Sequence, residues 1–294
     1  MRAVRRTVLS AVVAVFAGAA ALAVFVRLLE RVSVYFPEGT TPADSASLFG
    51  PAAEEVWFTA SDGVRLNAVF APAMPADARE PETKNGTAPV ILFLHGNAGH
   101  LYHRADKARI FQELGASVFL IDYRGFGKSA GKPSEKGIYR DAASAYRFLA
   151  LEKGIPADRI LVFGESLGGA PATHLAAREP VGGLICEGCF SSAADMGRTL
   201  IPLLPYELLL AQRFPVVHEI RRVRAPVLLL HARNDEVVPF AQSRRLYGAA
   251  RRVTNATLVP LEGMHNDAWL TDGARYREAL RSFLAPLLTR SEPA

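Results

Sequence analysis

Two cysteines, Cys186 and Cys189, are the whole thiol complement of this 294-residue chain. So few exclude a disulfide framework as the source of stability. Their Cys-x-x-Cys spacing admits a redox pair or half of a zinc site, but no second pair is present to complete one. Cys186 ends an apolar run that begins at Val181. Packing within a strand, or a chance disulfide, is therefore expected ahead of redox or metal chemistry. A long basic block is also missing. The net charge is +5, yet the Arg pairs at 5–6, 221–222, 244–245 and 251–252 are scattered and no aromatics interleave with them. That pattern is a solvated surface and no footprint for nucleic acid. There is no internal repeat, which excludes a solenoid.

Apolar residues, by contrast, are plentiful. Hydrophobic residues make up 50% of the chain, enough for a large core and too many for disorder. Arg2, Arg5 and Arg6 precede an uncharged stretch from Thr7 to Val26. As a helix, such a stretch spans about 30 Å, the thickness of a bilayer core. A single-pass anchor is the favoured reading. A cleaved signal peptide is the rival, with Ala21-Leu22-Ala23 as a small-x-small site. With the basic end inside, either one sends the rest of the chain to the extracytoplasmic, periplasmic side. Three parts are expected: a membrane segment at 1–30, a connector at 31–55 holding Pro37, Pro42 and Pro51, and a domain at 56–290.

The domain opens with a β-hairpin pattern, 56–60 and 64–70, around Ser61-Asp62-Gly63. A polar loop at 72–88 follows. Apolar runs at 90–94, 117–121, 160–163, 182–186, 227–230 and 257–260 then alternate with helical patterns at 104–114, 134–151, 167–178, 239–249 and 272–288. This alternation predicts an α/β fold, a mostly parallel sheet with helices on both faces.

Gly164-Glu165-Ser166-Leu167-Gly168 lies between the run at 160–163 and a helix. A sharp strand-to-helix turn there strains the serine backbone and exposes its hydroxyl. Glycines flank it because side chains would collide with neighbouring backbone. A serine hydroxyl is a poor nucleophile until a base takes its proton. His265 follows the strand at 257–260 and Asp235 follows the strand at 227–230, so both converge on one sheet edge. Ser166 is the expected nucleophile, His265 the base, and Asp235 the acid that fixes its tautomer. Glu236 and Asp267 are the rival acids, Asp267 standing too close in sequence to His265 to orient it. The oxyanion of an acyl-transfer step needs N–H donors. Leu167 supplies one, and Asn97 in His95-Gly96-Asn97-Ala98-Gly99 is the candidate for the other.

Other patterns point nowhere. Gly127-Lys128-Ser129 resembles the end of a P-loop, but Asp122 fills the required earlier glycine position. His95, His100 and His103 straddle a loop and a helix start with no acidic neighbour in sequence, so no metal is expected, and no cofactor. His231 is assigned to strand-end packing. The apolar segment at about 191–225 reads as a small helical cap above the site that favours an acyl group, or as helices merely packed on the domain.

As a set, these residues resemble the membrane-anchored α/β-hydrolase-domain serine hydrolases. The resemblance rests on His95–Gly99, on Asp122-Tyr123-Arg124-Gly125-Phe126-Gly127-Lys128-Ser129, and on Gly164–Gly169. It extends to Asp235-x-x-Val238-Pro239, to Gly263-x-His265-Asn266-Asp267, and to Tyr35-Phe36-Pro37 after the anchor. Ala232 departs from the pattern, where many members carry Gly. The resemblance covers roughly 30–288 and implies the eight-stranded α/β-hydrolase fold. It implies cleavage of carboxylic esters or thioesters, with a small acyl ester or lipid-like substrate. A serine peptidase of the same fold and a non-catalytic, membrane-anchored binding protein are the alternatives.

Overall fold

Continuous apolar runs demand burial on both faces, and here they form the interior of one eight-stranded sheet. The computed structural model describes residues 2–39, 45–74 and 88–288. Residues 75–87 of the expected polar loop, Pro42 of the connector and the residues after 288 lie outside these. The strands are β1 (Glu54–Thr59), β2 (Arg65–Ala71), β3 (Val90–Leu94), β4 (Ser117–Ile121), β5 (Ile160–Glu165), β6 (Gly183–Glu187), β7 (Val227–Ala232) and β8 (Ala256–Leu261). Their spatial order is β1-β2-β4-β3-β5-β6-β7-β8. From β4 through β3 to β8 every pairing is parallel. Only β2 runs against its neighbours, β1 and β4. The expected hairpin is present, and Gly63 takes its left-handed position at φ +86°.

Alternate residues of each strand feed two cores. Leu92, Leu94, Phe119, Ile121, Val162 and Leu184 enter one, while Ile91, Phe93, Leu120, Leu161, Phe163 and Ile185 enter the other. The first core is covered by α3 (Glu135–Arg147), α4 (Gly169–Ala176) and α6 (Phe240–Ala250), and the second by α2 (Ala105–Glu113) and α7 (Gly273–Leu288). Helix α3 shows how sequence sets such an element. Ser134 Oγ accepts from Gly137 N at 3.2 Å and caps its start. Ile138, Ala142 and Ala145 then recur along one face and are completely buried. In α7 the stripe is Tyr276, Leu280, Leu284 and Leu287.

Helix α1 (Arg2–Ser33) precedes all of this. Its segment Arg5–Glu30, with mean hydropathy 2.5, is long and apolar enough to cross a membrane. The crossover from β6 to β7 contains α5 (Ala193–Leu200) and shorter helices at Tyr206–Leu209 and Val216–Glu219.

Several boundaries differ from expectation, among them these three. The helix expected from Leu167 starts as a 3₁₀ turn, Ser166–Gly168, because the chain reverses too sharply there for an α-helical turn. The helix expected to run to Leu151 ends at Arg147 and continues as a π turn, Phe148–Glu152. The strand expected at 182–186 is shifted by one, so Glu187 takes the last rung opposite Glu165.

Strand order places the site. Helix α2 leaves β3 toward one face and α4 leaves β5 toward the other. The carboxyl ends of these adjacent strands therefore open a crevice between diverging connections, the switch point where α/β sheets bind ligands. Ser166 follows β5 and His95–Gly99 follows β3, so both lie at that crevice.

Candidate active site

At Ser166 the backbone adopts φ +51°, a left-handed conformation in a residue other than glycine. Such a residue costs about 1–2 kcal/mol and persists only where its surroundings impose it. The imposing contacts are those of the flanking glycines. A Cβ on Gly164 would lie 2.5 Å from the carbonyl oxygen of Gly168, and one on Gly168 only 1.9 Å from that of Leu94. No side chain fits, so the turn closes tightly and lifts the serine clear of the sheet.

His265 Nε2 lies 3.0 Å from Ser166 Oγ, and His265 Nδ1 lies 2.7 Å from Asp235 Oδ2. The other carboxylate oxygen of Asp235 accepts from Val237 N at 2.9 Å and Val238 N at 2.6 Å. Burial disfavours the charge on Asp235. Hydrogen bonds from His231, His265 and Val238 outweigh it and hold the carboxyl well below the usual range. Burial likewise disfavours a charged His265, but its bond to Asp235 and that residue's charge prevail and raise its pKa above the ordinary 6.5.

Of the rival acids, neither meets the ring. Glu236 Oε2 accepts from the His265 backbone N–H at 2.9 Å, and Asp267 Oδ1 accepts from Met264 N at 2.7 Å. They shape the histidine loop.

His231 does more than fill space. It is completely buried, and its Nε2 faces Val238 O at 2.8 Å and Asp235 Oδ2 at 3.2 Å. Ser243 Oγ bonds Nδ1. Two acceptors at Nε2 place a proton on that nitrogen. In the sequence His231 stands four residues before Asp235, at a strand end.

His95 also gains a role from geometry. Its Nδ1–H donates to the Gly96 carbonyl at 2.8 Å. That carbonyl and the Asn97 N–H belong to one planar trans peptide and point in opposite directions. The imidazole thus fixes where the Asn97 N–H aims. Tyr123 OH donates to the His95 carbonyl at 3.1 Å, and the Phe36 N–H donates to the Asn97 carbonyl at 2.8 Å. A Cβ on Gly96 would stand 3.7 Å from Ser166 Cβ, so this loop runs beside the serine. Leu167 lies in the first turn of the following helix, where N–H groups have no intrahelical acceptor. His100 and His103 are not directed at the site; their rings pack together with centroids 3.9 Å apart.

A family model for the alpha/beta hydrolase fold matches residues 89–216. The chain is 36% identical over 279 residues to the alpha/beta hydrolase domain-containing protein WAV2 of Arabidopsis thaliana, covering 89% of this chain and 86% of that one. The chain belongs to the α/β-hydrolase family. This α/β hydrolase is also 37% identical over 266 residues to an uncharacterized protein of Mycobacterium tuberculosis, covering 90% of this chain and 91% of that protein. Among solved structures, the Pyrococcus furiosus esterase Pf2001 superposes with a TM-score of 0.69 at 18% identity, over 86% of this chain and 97% of that one. At that identity the likeness establishes the fold.

One feature of this α/β hydrolase has no local signature in the sequence. Glu165, immediately before Ser166, is held by Arg104 Nε at 2.9 Å and Lys107 Nζ at 3.6 Å. Lys107 also bonds Glu187 at 2.7 Å, and Tyr276 OH donates to Glu187 at 2.6 Å. Burial opposes the Glu165 charge, but Lys107 and Arg104 outweigh it and lower its pKa. The network ties α2, β5, β6 and α7 together beside the Ser166 turn. Cys189 Sγ fits against Gly169, where a Cβ would lie 2.1 Å away. Both cysteines are free and buried, which fits packing.

Proposed function

We propose that this protein is a serine hydrolase that cleaves carboxylic esters or thioesters through an acyl-enzyme. The observation that carries the reading is the hydrogen-bonded line Ser166 Oγ, His265 Nε2, His265 Nδ1, Asp235 Oδ2, with separations of 3.0 Å and 2.7 Å. Ser166 Oγ attacks the acyl carbon while His265 Nε2 takes its proton. Asp235 holds the ring in the tautomer with the proton on Nδ1 and stabilises the imidazolium that forms. The carbonyl oxygen becomes an oxyanion and accepts hydrogen bonds from the N–H groups of Asn97 and Leu167. The imidazolium then protonates the departing alkoxide or thiolate. Water, activated by the same ring, releases the acid and restores Ser166.

The apolar β6–β7 crossover supports an acyl substrate, and helix α1 supports a membrane anchor. In this reading its basic end stays in the cytoplasm and the hydrolase domain is extracytoplasmic.

Hydrolysis of nitrophenyl esters of increasing acyl length, beside a panel of aminoacyl naphthylamides, tests the assignment. Ester turnover with little amide turnover is expected. The Ser166→Ala variant should lose about three to six orders of magnitude in kcat. Preference for the naphthylamides would make the protein a peptidase, and no turnover of any ester would leave it a binding protein.

A further inference from the structure

Several of the domain's exposed apolar side chains lie on connections at the carboxyl edge of the sheet, with Trp57, Leu151 and Leu288 elsewhere. On the β6–β7 crossover Ile201, Leu203 and Leu208 are 54%, 95% and 78% exposed. Phe36 on the connector, Val237 beside Asp235 and Met264 beside His265 are also exposed. Isolated surface hydrophobics are ordinary, but several within one short segment mark an interaction surface.

The end of helix α1 is built into the same edge. Glu30 is buried, and its carboxylate accepts from Ala211 N at 3.0 Å and Gln212 N at 2.7 Å. Gln212 is bonded in turn by Tyr35 OH and by Glu135 N. Helix α1 packs against Tyr206–Leu209. The connector continues from Tyr35 to Phe36, whose N–H bonds the loop of Asn97. One chain of contacts therefore runs from the apolar helix, through the crossover, to the site.

The segment Arg5–Glu30 spans about 39 Å as a helix, more than a bilayer's hydrocarbon core. The first charges at its domain end are Arg27 and Glu30, which mark the level of the membrane surface. The crossover is pinned at that level. Arg27 and Arg213 are exposed there, as cations suited to phosphate headgroups.

We propose that the tip of the crossover, from Ile201 to Leu208, rests in the headgroup region of a phospholipid bilayer beside α1. The site mouth then faces the membrane and takes an amphiphilic acyl ester directly from the lipid layer. The substrate half of this inference rests on the reading of Ser166 as an acyl-accepting nucleophile; the docking half rests on the reading of α1 as a membrane anchor.

The test uses the full chain in phosphatidylcholine vesicles containing nitroxide-headgroup lipid. A bimane label is placed at Leu203→Cys and, separately, at Leu208→Cys. Cys186 and Cys189, each 1% exposed, stay unlabelled. The control is Leu151→Cys. Leu151 is 78% exposed but lies between α3 and the start of β5, at the opposite edge of the sheet. Nitroxide lipid should quench the crossover labels several-fold more strongly than the Leu151 label. Equal quenching at all three positions, or a full chain that washes off the vesicles, overturns the proposal. A label shielded only as protein concentration rises, without nitroxide quenching, assigns the face to a second copy of the chain and also overturns it. Fluorophosphonate labelling in the same samples reports separately on the hydrolase reading.

Discussion

In the proposed mechanism neutral His265 takes the proton from Ser166, so activity should follow its titration. Its pKa is raised above 6.5, chiefly by Asp235 acting against burial. As pH falls through that raised value the imidazole charges and the base is lost. A kcat/KM profile with an acidic limb centred above pH 6.5 is expected. Asp235→Asn removes the charge that raises the pKa and favours the wrong tautomer. It should cut kcat by about four orders of magnitude and move what remains of the limb to lower pH. A limb that stays in place in that variant would mean that another group governs it. At this scale the sequence was most informative where chemistry and chain order coincide. Ser166, Asp235 and His265 stand out because each follows a strand. His231 and His95 were read as packing or as metal lures because their partners, Asp235 Oδ2 and the Gly96 carbonyl, become evident only with the side-chain geometry.

Two elements carry the site, the nucleophile turn and the charged layer beneath it. Gly168→Ala would put a methyl group 1.9 Å from the Leu94 carbonyl oxygen, which is main chain of β3 and cannot yield cheaply. Overpacking of this kind costs about 1–3 kcal/mol or more. A lowered midpoint in urea denaturation, together with lost ester turnover, is the expected result. The charged layer makes a different prediction. Lys107 and Glu187 are almost fully buried, and Lys107→Met would leave Glu187 without its cation. Breaking such a pair costs about 3–5 kcal/mol. The double variant Lys107→Met with Glu187→Leu should recover much of that loss, measured by the same denaturation. The turn was legible in the sequence because its glycines fall at fixed spacing around Ser166. The charged layer was not, because it joins residues 80 positions apart in sequence on separate elements, and no local pattern records such a meeting.

Across the whole molecule, the fold was legible because most strands are buried on both faces and so read as unbroken apolar runs. Only the edges blurred. The nucleophile turn converted one helical turn to 3₁₀, and β6 took Glu187 as its last residue to complete the ladder with β5. The β6–β7 crossover was legible only as an apolar stretch. Its helices are short, and long-range bonds place them: Glu135 accepts from Arg213 N and Phe214 N at 2.7 Å and 2.8 Å, and Glu30 from Ala211 N and Gln212 N. The Glu30 bonds join the crossover to α1, so the two form one structural unit. The central claim concerns Ser166, and one measurement reaches it directly. The full chain is treated with a fluorophosphonate, digested, and mapped by mass spectrometry. A single phosphonyl adduct on Ser166 is predicted, absent after His265→Ala under the same conditions. An adduct on another residue, or none on the active wild-type protein, would contradict the assignment.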